Sequence, residues 1–124
     1  MRVLIYGGRD FVPTDLDYSW LNDMFKDYAR GEITVISGEA RGADTAGRIW
    51  ATASGHEVER YPADWNTHGK AAGFIRNQQM LDSGVDLAVQ FPGGRGTEDM
   101  RSRLNKAGVK VVEYRDYKLL EGDE

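Results

Sequence analysis

The stretch Phe91-Pro92-Gly93-Gly94-Arg95-Gly96-Thr97-Glu98-Asp99 joins an apolar run, Leu87 to Phe91, to a helical pattern through a loop with very little side-chain bulk. Such a loop is suited to an anion. Glycines at 93, 94 and 96 let the backbone take positive φ and bring amide N–H groups close to a phosphate. Thr97 can cap the helix and aim its positive dipole end at the ligand. Two more loops share this character: Gly7-Gly8-Arg9-Asp10-Phe11 after the first apolar run, and Ser37-Gly38-Glu39-Ala40-Arg41-Gly42-Ala43-Asp44 after the second. Arg9 can bind an anion or stack on a base, or it can pair with Asp10 on the surface. Gly38 and Gly42 flank a turn that opens a helix, so amides near Ala43 and Asp44 suit phosphate or a ribose hydroxyl. Asp44 serves equally well as a helix cap.

The segment from Tyr61 to Met80 is dense in polar groups. Asp64, His68, Lys70, Arg76 and Asn77 offer acid, base, cation and amide functions, and Trp65 offers a face for a base. His68 has no partner at ligand spacing and reads as readily as a cap or surface residue. Arg76 falls near the start of a helical pattern, where a cation opposes the dipole. It calls for an anionic partner: a ligand phosphate, or Glu98 or Asp99 in a structural ion pair. None of the loops is G-x-G-x-x-G or G-x-x-x-x-G-K-[ST], so the dinucleotide fingerprint and the ATPase loop are both absent.

These loops need a scaffold that brings them together. Val3 to Tyr6, Ile33 to Ile36, Val58 to Tyr61, Leu87 to Val89 and Val109 to Val112 read as five strands, mostly continuous in hydrophobicity, as when both faces of a parallel sheet are covered. Helical spacing runs over Leu16 to Tyr28, Ala43 to Ala53, Lys70 to Leu81 and Thr97 to Ala107, with Gly31, Gly55, Gly84 and Gly108 where C-terminal caps belong. The stripe Leu16, Trp20, Leu21, Met24, Phe25 and Tyr28 reads as core. Right-handed crossovers then give an α/β, Rossmann-like, doubly wound sheet in the order 3-2-1-4-5, with its ligand crevice at the carboxyl ends of strands one and four. Residues 1–117 form one such domain, and 118–124 an acidic tail that frays.

Composition narrows the chemistry. At 124 residues the chain fits one domain, and 40% hydrophobic with 29% charged content is ordinary for a globular protein. Glycine, at 15 residues, exceeds the usual ~7% and clusters at strand ends. A formal charge of −4 supplies no global field for a nucleic-acid backbone, although Arg41, Arg76 and Arg95 can form a local basic patch. Nucleic acid is therefore a disfavoured partner. Without cysteine, thiolate metal sites and cysteine nucleophiles are excluded, and two histidines give no metal site. No cofactor is called for. The N-terminus runs straight into a strand without a leader or a long apolar stretch, which places the chain in the cytoplasm with no membrane partner.

Ser37-Gly38-x-Ala40-Arg41-Gly42-Ala43-Asp44, Arg76-Asn77-x-x-Met80 and Pro92-Gly93-Gly94-x-Gly96-Thr97 resemble the signatures of the SLOG superfamily, which unites Smf/DprA-type and Lonely Guy proteins. The Gly7 to Phe11 start and the segments Pro62-Ala63-Asp64-Trp65 and Gly73-x-Ile75-Arg76-Asn77 most resemble its small YspA-type, YpsA-related branch. The resemblance implies a Rossmann-like domain that binds a nucleotide-derived small molecule. From the Lonely Guy side it also implies cleavage of the N-glycosidic bond of a nucleoside monophosphate, and a homodimer; the stretch around Phe74 and Ile75 is suited to contribute to that interface. The DprA side implies single-stranded DNA binding.

The chain departs from the Lonely Guy pattern at the catalytic position. Those enzymes carry P-G-G-x-G-T-x-x-E, and Met100 stands in the last place; the lysine beside their arginine is Asn77. Methionine can neither stabilise an oxocarbenium ion nor activate water, so Asp99, Glu98 or Asp64 would have to supply the carboxylate. Asp99 is offset by about 100° around the helix. The leading expectation is thus a sensor or sequestering module for a nucleoside phosphate or an NAD- or ADP-ribose-like ligand. In the enzyme alternative Arg76 and the 93–97 amides hold phosphate, Asp44 or Asp64 holds ribose, and Asp99 or Glu98 assists loss of the base.

Overall fold

The computed structural model describes residues 1–114; the predicted tail and its boundary at 117 lie outside the described residues. Five parallel strands, β1 (Arg2–Tyr6), β2 (Thr34–Ser37), β3 (Glu57–Arg60), β4 (Leu87–Gln90) and β5 (Val111–Glu113), form one sheet in the order β3-β2-β1-β4-β5. The expected order is the observed one. Helices α1 (Asp15–Met24), α2 (Ala43–Ala53), α3 (Trp65–His68), α4 (Ala72–Asp82) and α5 (Arg95–Lys106) make the crossovers.

The side chains of β1 show why the strands read as unbroken apolar runs. Val3 and Ile5 pack on one face with Trp20, Leu21 and Phe25 from the α1 region and Trp50 of α2, whereas Leu4 and Tyr6 pack on the other with Met80 of α4 and Met100 and Leu104 of α5. A strand covered on both sides is apolar at every position. The edge strand β3 has no buried residue, and its Glu57 and Arg60 are exposed, which discourages pairing with another chain.

Several boundaries differ from the sequence reading, each for a local reason. α1 stops at Met24, Tyr28 beyond it is exposed, and so is Leu16 in its first turn; the stripe is fully buried only at Trp20, Leu21 and Phe25, with Met24 packed against them. Gly31 belongs to a turn before β2, while Gly55, Gly84 and Gly108 take φ of 77°, 95° and 76° just beyond α2, α4 and α5. The helix expected from Lys70 begins at Ala72 as α4, and it is preceded by a short α3 that ends at His68, by Gly69, which turns the chain with φ 55°, and by a single 3-10 turn. α5 begins two residues earlier than expected, with Gly94 rather than Thr97 at the N-cap.

Candidate functional site

The topology delivers the loops after β1, β2 and β4 to one end of the sheet, where they surround a cavity of about 250 Å³. Gly8 ties the three loops together. Its N–H donates to Pro92 O at 2.8 Å, and its carbonyl accepts from Ala43 N–H at 3.1 Å. This stitching leaves no room for side chains. A Cβ at Gly8 would lie 2.8 Å from Gly93 Cα, and one at Gly42, where φ is 81°, would lie 2.3 Å from Gly8 O.

The loop before α5 uses its glycines differently from the expectation. None of Gly93, Gly94 and Gly96 takes positive φ. Gly93 is required by crowding, since its Cβ would come within 2.0 Å of Thr97 Oγ1; Gly94 and Gly96 have no neighbour within 4 Å of where a Cβ would stand. Side-chain crowding therefore does not account for glycine at 94 or 96. Both line the cavity and hold the first turn of α5 open to it. Arg95, the first residue of α5, also lines it and forms no ion pair with a described residue. A cation at that helix end is unfavourable to the dipole unless an anion binds between them.

Opposite α5, the wall is made by Asp44 and Arg76. Asp44 sits in the first turn of α2 with 6% of its surface exposed. Its Oδ2 accepts from Ala40 N–H at 3.3 Å, and Ser37, fully buried, holds the turn by donating from Oγ to Asp44 O at 3.4 Å. Burial pushes the Asp44 carboxyl up to about 6, against the opposing pull of the Arg76 guanidinium and the Ala40 N–H. Arg76 lies in the second turn of α4 and donates from Nη1 to Gly38 O and from Nε to Asn77 Oδ1 at 3.2 Å. Burial pulls its pKa down, Asp44 pushes it up, and Arg9 adds to the downward side. The anionic neighbour of Arg76 within the protein is thus Asp44, not Glu98 or Asp99. The backbone linking these groups is strained: Glu39, between Gly38 and Ala40, has φ 63°.

The carboxylates expected to replace the missing glutamate lie outside the cavity lining. Asp99 receives Arg103 Nε at 2.8 Å and Nη2 at 3.2 Å, and Asn77 Nδ2 at 3.1 Å. Burial raises its pKa, but the hydrogen bonds from Arg103 and Asn77 outweigh it and hold the carboxyl below the usual range. Asn77, buried, also donates to Gly96 O at 3.2 Å, so Asn77 and Asp99 lock α4 to α5 beneath the cavity. Glu98 is exposed, and Asp64 caps α3 by accepting from Thr67 N–H at 3.1 Å. Met100 stands at the cavity with 1% exposure, packed with Leu4, Tyr6 and Met80.

Of the other expected site residues, Gly7, Gly8 and Arg9 line the cavity with Gly94 to Thr97 and Asn77. Arg9 is placed over the Trp65 ring at 5.1 Å rather than beside Asp10, which pairs with Arg41 at 3.3 Å on the surface. Arg41, His68 and Lys70 are exposed and do not line the cavity. Tyr6, Ala40 and Met80 line it without having been singled out by residue type. The signal was positional: Tyr6 ends β1, Ala40 lies between the two loop glycines, and Met80 is four residues after Arg76 on one helical face.

The sequence profile of the YspA, cpYpsA-related SLOG family matches residues 1–68, which contain the first two loops. The chain belongs to this family. It is also similar to the Gene 61 protein of Mycobacterium phage D29, 36% identical over 122 residues that cover 93% of this chain and 97% of the phage protein. That span includes the Arg76 and Gly93 to Thr97 segments beyond the SLOG profile match. No solved structure matches. Membership of the SLOG family points to nucleotide-related binding or processing. No helix among the described residues is long and apolar enough to cross a membrane.

Proposed function

We propose that this SLOG domain binds a nucleotide or nucleotide-derived ligand, a nucleoside phosphate or an NAD- or ADP-ribose-like molecule, as a sensor or sequestering module that leaves the ligand intact. The observation that carries the reading is the pairing, in one cavity, of the glycine-bearing N-terminus of α5, at Gly94 and Gly96, with Arg9, Arg76 and Arg95, while Met100 occupies the place where a carboxylate would do chemistry. Open amides and guanidinium groups take up phosphate, Asp44 accepts a sugar hydroxyl, and Tyr6, Met80 and Met100 give the cavity an apolar floor.

A phosphoribohydrolase is the second reading, and Asp44 is the observation in its favour. A buried carboxyl with a pKa of about 6 at a cavity wall is poised for proton transfer near neutral pH. A single-stranded DNA function finds less support in a chain of net charge −4. We also propose a homodimer through the α4 surface at Phe74 and Ile75, where Phe74 is exposed. Phe74→Glu would then give a monomer in sedimentation where the parent chain gives a dimer.

The deciding test is thermal stabilisation by AMP, NAD, ADP-ribose and cyclic dinucleotides, with each stabilising ligand analysed by chromatography after incubation. A ligand that binds the folded chain and not the unfolded one raises the melting temperature by mass action. Recovery of intact ligand supports the sensor, released base supports the hydrolase, and no stabilisation by any of them overturns both.

A further inference from the structure

The 250 Å³ cavity is not the end of the concave surface. A second cavity of about 510 Å³ adjoins it, and the two share Gly8, Arg9 and Gly94. The far side of the second cavity is formed by Phe11, Val12 and Pro92. Phe11 is anchored by stacking on Phe91 at 4.8 Å, whereas Val12 is 78% exposed and belongs to neither core cluster. The first cavity alone lies below the roughly 300–1,000 Å³ that small-molecule sites span. Joined across Gly94, the two fall within it.

We infer that the ligand is bipartite: two organic halves joined by a phosphodiester or pyrophosphate that crosses at Gly94, with one half in the Asp44–Arg76 cavity and the other against Phe11 and Val12. This rests on the nucleotide-binding reading and narrows it to a dinucleotide-like class. The crossing point has the chemistry that the linker needs. Gly94 is the N-cap of α5, so the free amides of the first turn open beside it. Arg9 belongs to both cavities, and the missing Gly94 side chain leaves open space where a Cβ would otherwise meet the linker. No atom lies within 4 Å of where a Cβ at Gly94 would stand, so a ligand can pass close to the backbone there.

The test is calorimetric titration of the full chain with ribose 5-phosphate, AMP and ADP-ribose, repeated on Val12→Asp and Gly94→Ala. Both variants change positions with open surroundings, and their folding is checked by thermal melting. Expected is ADP-ribose binding at least about tenfold tighter than AMP. Val12→Asp should remove that advantage while leaving AMP affinity as it was, and Gly94→Ala should weaken ADP-ribose more than ribose 5-phosphate. Equal affinities for AMP and ADP-ribose, unchanged in Val12→Asp, would overturn the bipartite site while leaving nucleotide binding in place. No binding of any of the three would instead count against the nucleotide reading itself.

Discussion

Arg76 and Asp44 face each other across the absent side chain of Gly38: a Cβ there would lie 2.8 Å from Arg76 Nη1 and 2.8 Å from Asp44 Oδ2. The glycine is thus the gap across which a cation from α4 and a carboxylate from α2 interact without touching, and its carbonyl also accepts from Arg76.

Gly38→Ala should separate function from folding. The atoms it would strike are the ends of side chains, which can move, so the expected loss of stability is small, about 1 kcal/mol. The displaced guanidinium and carboxylate no longer present their arranged faces to the cavity, so nucleotide affinity should fall by roughly tenfold or more. Denaturant titration and ligand titration of the same variant check both halves, and a loss of stability with full affinity would contradict the arrangement.

The raised pKa of Asp44 gives a pH signature with a definite sign. Its carboxyl ionises near 3.8 in the free residue and at about 6 in the fold, so between these values the folded protein holds a proton that the unfolded chain has released. Stability therefore declines as pH rises through that window, and above it the ionised carboxylate costs on the order of 3 kcal/mol. Asp44→Asn should be close to the parent in stability at pH 4 and clearly more stable at pH 8, while binding sugar-bearing ligands more weakly. Urea unfolding at the two pH values decides it: an equal difference at both would mean that the carboxyl is not perturbed by burial.

Asp99 and Arg76 should behave oppositely. Asp99→Ala removes the clamp from Arg103 and Asn77, and the expected result is a stability loss of about 1 kcal/mol with nucleotide affinity retained. Arg76→Ala removes charge from the cavity wall, and Gly94→Asp adds a carboxylate to the anion face. Each should weaken phosphate-bearing ligands by roughly 10- to 100-fold. If Asp99→Ala abolished release of base from a nucleotide while folding normally, Asp99 would be a catalytic residue after all.

How much of this was legible before the structure differs by level. The sheet order followed from the alternation of short apolar runs with helical spacing, because a strand buried on both faces leaves an unbroken signature, as Val3 to Tyr6 does. The loops that converge followed from the order. What the sequence could not distinguish is why a glycine is there: Gly42 serves positive φ, Gly8 and Gly93 serve close packing, and Gly94 faces open space, yet all four are the same letter. The partner of Arg76 within the protein is hidden for a related reason. Its dipole argument pointed to some anion, but choosing Asp44 over Glu98 or Asp99 needed the distance between α2 and α4, which spacing along the chain does not carry. The Arg9 to Asp10 pairing failed because Trp65, fifty-odd residues away, comes to lie beneath Arg9.

That contact offers an optical readout. Trp20 and Trp50 are buried, whereas Trp65 is 48% exposed and lies 5.1 Å from the Arg9 guanidinium. A cation over an indole face is held by roughly 0.5–1 kcal/mol at an exposed site, less than a charge-assisted hydrogen bond to phosphate contributes. Binding of a phosphate-bearing ligand should therefore draw Arg9 from the indole into the cavity that it already lines, and tryptophan emission should change with ligand saturation. Arg9→Ala should show the shifted emission before ligand is added and a smaller change afterwards, and Trp65→Phe should lose the signal while still binding. An emission change that persists in Trp65→Phe would mean that the buried tryptophans report a wider rearrangement, and Arg9 would then not be the moving part.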